Sequence, residues 1–99
     1  MLQSAPHLSC YLVEWYGPQV IAQPLEETLA KLDSGIDAIR AEGSTVQLLI
    51  ALTAHTDQVL YSVFAASSPE MVRQACERAG FPAERVTGGI ELKYSQKAV

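Results

Sequence analysis

Glu14 stands inside Ser9 to Tyr16, a run rich in β-branched and aromatic residues where strand propensity disfavours a carboxylate. Alternation along an extended chain puts Tyr16 on the same side as Glu14. If another protein surface covers the pair, loss of water favours the neutral carboxyl and equips Glu14 as a general base, with Tyr16 or His55 assisting. Left uncovered, Glu14 is a solvated side chain or a partner for Lys93. Glu91 carries the same choice, and it neighbours Glu14 if the first and last strands pair. His55 and Asp57, two apart between strand-like runs, and His7 near the start of the chain offer donor atoms for a divalent metal. Polar residues at a turn also serve the turn itself, which is the plainer role for His55 and Asp57. Cys10 and Cys76 are the only thiols, too far apart in sequence for a close-spaced metal pair, and read as small core residues. Tyr11, Trp15, Tyr61 and Tyr94 interleave with aliphatic residues at strand spacing and read as packing, not as a ligand cage.

Composition narrows the partners. The 99 residues carry seven basic and eleven acidic side chains, a formal net charge of -4. Without a cluster of Lys or Arg, the chain lacks the electrostatic footprint that phosphate backbones or anionic membranes select, so neither nucleic acid nor membrane is an expected partner. The apolar runs are too short to cross a bilayer, and Met1 to Pro6 shows neither the basic region nor the apolar core of a signal peptide. A cytoplasmic location is therefore expected, in one domain spanning 1–99 with tails at 1–8 and 95–99.

The elements that must position these groups are readable in order. Ser9 to Tyr16 is a strand closed by Gly17-Pro18. After Pro24, Leu25, Leu29, Leu32, Ile36 and Ile39 recur on one helical face, and Gly43 ends that helix. Thr45 to Thr53 and Gln58 to Ala66 are strands joined by a polar hairpin tip at 54–57. Ser68 caps a second helix, Pro69 suits its first turn, Met71, Val72, Ala75, Cys76 and Ala79 line one face, and Gly80 ends it. Arg85 to Tyr94 is the last strand, with Gly88-Gly89 marking a bulge or close backbone approach. Strand, helix, strand, strand, helix, strand is the ferredoxin-like βαββαβ order, an α+β fold with a four-stranded antiparallel sheet and two helices on one face.

Period-two reading predicts a helix-facing side of Tyr11, Val13, Trp15, Val46, Leu48, Ile50, Leu52, Val59, Tyr61, Val63, Val86, Ile90 and Leu92. The opposite side then carries Cys10, Leu12, Glu14, Tyr16, Gln47, Leu49, Ala51, Thr53, Leu60, Ser62, Phe64, Thr87, Glu91 and Lys93. An open face with that much apolar surface predicts a homodimer that packs two sheets face to face, as in dimeric α+β barrels. A small ligand held in the resulting cavity meets Glu14, Tyr16, Ser62, Phe64, Glu91 and Lys93.

Other users of this topology fail on residues. An RNA-recognition module needs exposed aromatics beside basic groups, whereas Tyr16 and Phe64 are predicted beside Glu14 and Glu91. A copper chaperone needs two closely spaced cysteines, and an acylphosphatase needs an asparagine, which the chain lacks altogether.

Tyr11-Leu12-Val13-Glu14, together with Ala79-Gly80-Phe81-Pro82-Ala83-Glu84-Arg85-Val86-Thr87, resembles a small bacterial nickel-binding-protein-like family, a domain of unknown function. The resemblance implies a ferredoxin-like fold, a homodimer and, in at least one branch, divalent nickel. Family members often carry tryptophan, serine and tyrosine along the second strand and cysteine on the third, where this chain has Leu48, Ala51, Leu52 and Ser62. The resemblance therefore carries over the fold and the strand position of Glu14, and nickel by family alone. The leading expectation is a cytoplasmic dimeric binding protein for a small ligand or a metal. The alternatives are a cofactor-independent dimeric α+β barrel enzyme, of monooxygenase or isomerase type with Glu14 as base, and a structural or regulatory dimer without ligand.

Overall fold

Tyr11, Val13 and Trp15 alternate along β1 (Ser9–Tyr16) and are all buried, which is how one strand comes to face a helical layer across a central sheet position. The computed structural model describes residues 8–93 and 95. Its elements continue as α1 (Pro18–Ala22), α2 (Leu25–Ala41), β2 (Val46–Ala54), β3 (Val59–Ala66), α3 (Pro69–Arg78) and β4 (Arg85–Ile90). The sheet order is β2-β3-β1-β4 with every neighbouring pair antiparallel, the ferredoxin-like arrangement. The tails expected at 1–8 and 95–99 lie outside the described residues except for Leu8 and Ser95.

Local chemistry accounts for the helices. Ser68 takes an extended backbone and its Oγ accepts the Met71 N–H at 3.3 Å, while Pro69 occupies the first turn of α3. Gly80 follows at φ +73, the left-handed conformation that a side chain makes costly. In α2, Glu26 and Glu27 lie in the first turn and Arg40 in the last, each complementing the helix dipole. An ion pair between Arg78 and Glu42 joins the C-terminal end of α3 to that of α2. Helix α1 was not expected. Gly17-Pro18 does end β1, but Pro18 at the first helical position then starts a single turn that buries Val20, too short for periodicity to reveal.

The core lies between the sheet and the helices. Leu32, Ile36 and Ile39 of α2 and Val72, Ala75 and Cys76 of α3 pack on Tyr11, Val13, Trp15, Val46, Leu60 and Phe64. Burial pushes the Cys76 thiol up to about 12, which keeps it protonated and unreactive. Cys10, read as a small core residue, is only half-buried and sits on the open side of the sheet, where the alternation of β1 places it.

Three strands depart from the predicted alternation: β3, β2 and, at Ile90, β4. Pairing of β3 with β1 sets Tyr11 against Phe64, Val13 against Ser62 and Trp15 against Leu60, so Leu60, Ser62 and Phe64 face the helices and Val59, Tyr61 and Val63 face away. Both parities of this central strand are apolar, and only the pairing decides between them. In β2 the register passes from Leu48 opposite Phe64 to Ile50 opposite Val63, which leaves Leu49 as a bulge. Val46 and Leu48 therefore face the helices, but Ile50 and Leu52 turn to the open side. In β4 the register shifts opposite Gly88-Gly89, as predicted, but pairing ends at Ile90 and not at Tyr94, which lies outside the described residues.

Ser62 is fully enclosed, and its Oγ is the one buried side-chain polar atom without a partner among the described residues. A desolvated, unpaired hydroxyl is a cost that alanine removes with almost no change of shape. Ser62→Ala is expected to raise stability by about 1 kcal/mol in urea denaturation. A loss of stability would show that the hydroxyl makes a bond.

Candidate functional site on the open sheet face

Once the strands are in register, the open face resolves into rows running across the sheet. Gln47, Ala65, Cys10 and Ile90 form one. Ile50, Val63, Leu12 and Thr87 form the next, followed by Leu52, Tyr61, Glu14 and Arg85, and then Ala54, Val59 and Tyr16. The middle of this surface is more apolar than period-two reading implied, because Ile50, Leu52, Val59, Tyr61, Val63 and Ile90 have all moved onto it. Leu52 is 48% exposed and Ile50 37%.

A polar cluster closes one end. The Tyr16 hydroxyl donates to Glu14 Oε1 at 3.1 Å, and Arg85 Nε stands 3.8 Å from Glu14 Oε2. Glu84 fastens the end of β1 with its side chain and backbone: Tyr16 N–H donates to Glu84 Oε2 at 2.9 Å, and Glu84 N–H donates to the Glu14 carbonyl at 3.2 Å. Loss of water around its hydroxyl, then the hydrogen bond to Glu14 and the charge of Glu14, raise the Tyr16 phenol above its ordinary value. Tyr16 is thus a hydrogen-bond donor at neutral pH. Arg85 is mostly exposed, and its charge and hydrogen bonding to Tyr16 offset part of that rise.

Of the predicted ligand residues, Glu14 and Tyr16 come together as expected. Ser62 and Phe64 do not join them, because both are buried under the helices on the other side of the sheet. Glu91 and Lys93 lie beyond β4 and are exposed. Ile90 pairs with Cys10, four residues and roughly 13 Å along β1 from Glu14, so neither Glu91 nor Lys93 is its neighbour. Arg85 takes the place assigned to Lys93. The signal for it was available: Val86 faces the helices, so alternation puts Arg85 on the open side with Glu14.

Among the described residues the donor set does not make a nickel site. His55 and Asp57 are exposed in the β2–β3 turn, His7 lies outside the described residues, and no group of three or more His, Cys, Asp or Glu could hold a metal ion among the described residues. Leu48, Ala51 and Ser62 face the helical layer while Leu52 faces the open side, so these four positions do not converge on one site.

No family model matches the chain, and no curated protein matches it. Among solved structures, the crystal structure of SCO4226 from Streptomyces coelicolor A3(2) superposes with a TM-score of 0.65 at 16% identity, covering 88% of this chain and 99% of that one. No helix among the described residues is long and apolar enough to cross a membrane. At so low an identity the likeness is one of architecture, and it identifies the chain as an α+β protein with the ferredoxin-like layer of helices on a four-stranded antiparallel sheet.

Proposed function

We propose that this chain is a small homodimeric binding protein that holds a small ligand between the open faces of two sheets. The observation that carries the reading is the apolar band of Leu12, Ile50, Leu52, Tyr61 and Val63 across the open face, in which Ile50 and Leu52 stand exposed side by side with half-buried Leu12 and Tyr61, the kind of surface that marks an interaction site. Packing two such bands together is the dimeric α+β barrel arrangement. The cluster of Tyr16, Glu14 and Arg85 then gives a bound molecule its polar anchor at the rim. Free thiols at Cys10 and Cys76 support a reducing, cytoplasmic compartment. Nickel, which the family resemblance implies, gains no support from the donor set described above. A cofactor-independent enzyme of monooxygenase or isomerase type is a second reading, favoured by the contact of the Glu14 carboxylate with a protonated phenol.

Leu52→Glu tests the dimer. Two-fold symmetry places the new carboxylate in the interface twice, and each uncompensated buried charge costs several kcal/mol. The dimer dissociation constant is expected to rise at least roughly a hundredfold, read by sedimentation velocity. Wild-type protein that sediments as a monomer at micromolar concentration would remove the proposal. Native mass spectrometry of protein taken directly from cells reads the ligand, and a dimer that carries no added mass points to a scaffold without one.

A further inference from the structure

A second recess lies at the free edge of the sheet, away from the polar cluster. It has a volume of about 360 Å³, sits between α2 and β2, and is lined by Leu29, Asp33, Leu48, Leu49, Ile50 and Ala51. In a regular strand, successive side chains point to opposite faces, so four consecutive residues do not line one cavity with their side chains. The bulge at Leu49 breaks the alternation where the recess forms, and bulges of this kind recur beside binding sites.

Charge and edge geometry define the occupant. Asp33 is exposed and forms no ion pair among the described residues, where the ion pairs are Arg78 with Glu42 and Arg85 with Glu14. A carboxylate beside five apolar side chains is complementary to a cation with an apolar body. β2 is an edge strand without a charged residue or proline, which would invite an added strand. The bulge interrupts its outward row of backbone groups, however, and that disfavours a continuous peptide while leaving room for a compact molecule.

We propose that the α2–β2 recess binds a small organic cation, a protonated amine with an aliphatic or aromatic body, whose ammonium pairs with Asp33 while its body lies on Leu29, Leu48, Leu49 and Ile50. The recess shares Ile50 with the open face but takes Leu29 and Asp33 from α2, so it does not require the dimer.

Hexylammonium chloride and sodium hexanoate, titrated separately at pH 7 into isotope-labelled full-length protein, provide the test by methyl NMR. Hexylammonium is expected to shift the methyls of Leu29, Leu48, Leu49 and Ile50, and hexanoate at the same concentration is not. Asp33→Asn, a surface change that leaves the core untouched, should weaken hexylammonium binding by about tenfold or more. Ala51→Phe, which fills the recess, should abolish the shifts while Asp33 remains; the dispersion of its spectrum checks that it is folded. Equal binding of both probes, binding of neither, an unchanged affinity in Asp33→Asn, or shifts confined to Leu12, Leu52 and Val63 of the open face would each overturn the proposal. The last outcome would leave the open-face reading standing, whereas a monomeric wild type with shifts at the recess would leave only this one.

Discussion

Gly35→Ala is expected to destabilise the chain by about 3 kcal/mol, measured by urea denaturation followed through far-UV circular dichroism. Helix propensity alone predicts the opposite sign, since alanine is better than glycine inside a helix by about 1 kcal/mol. Packing reverses it. Gly35 is buried where α2 crosses α3, and a Cβ there would run into the Ala75 carbonyl oxygen while standing 2.8 Å from Ala79 N and 2.9 Å from Ala79 Cβ. The atoms it meets are mostly backbone, and they belong to the hydrogen bond of 3.0 Å between Ala79 N–H and the Ala75 carbonyl that closes α3. No side-chain rotation relieves the overlap. The helices must separate, and Val72, Ala75 and Cys76 are drawn from the core with α3. A variant as stable as wild type, or more so, would show that the two helices have room to spare.

Trp15→Ala should cost about 3 to 5 kcal/mol, the range for truncating a large buried aromatic. Trp15 is almost completely enclosed, stacks on Phe81 with ring centroids 4.8 Å apart, and donates from Nε1 to the Phe81 carbonyl at 3.1 Å and the Pro82 carbonyl at 2.9 Å. One side chain thus fastens the segment leading from α3 to β4. That segment continues into Glu84 and Arg85, which bond to Tyr16 and Glu14, so the loss reaches the polar end of the open face. Trp15→Phe separates the contributions: it keeps most of the apolar contact, loses the donor, and should cost about 1 to 3 kcal/mol. Hydrogen exchange at residues 83–85 should rise in both variants. Equal stability of Trp15→Phe and wild type would mean that the Nε1 hydrogen bonds contribute nothing.

The open face carries a more general lesson about β-sheets. Glu14 and Tyr16 were legible as neighbours because one strand with a strict alternation needs no partner to define its sides. Ser62 and Phe64 were placed on the wrong side because β3 is central and apolar at nearly every position, so its own residues hold no information about parity. Ile50 and Leu52 went astray at Leu49, where one inserted residue reverses everything that follows. The recess between α2 and β2 was invisible for the same reason.

Local signals in the sequence determined the boundaries of α2 and α3 and the order of the four strands around them. Ser68, Pro69 and Gly80 act on the backbone within a few residues of themselves, and the spacing of Leu32, Ile36 and Ile39 is a property of one helix alone. Tertiary structure decided what depends on residues far apart in the chain: which side of β3 faces the helices, which cation meets Glu14, and why Gly35 has no side chain. Each of these is set by the approach of separate segments, through hydrogen-bond register in the sheet and steric exclusion between helices, and neither is encoded in a run of neighbouring residues.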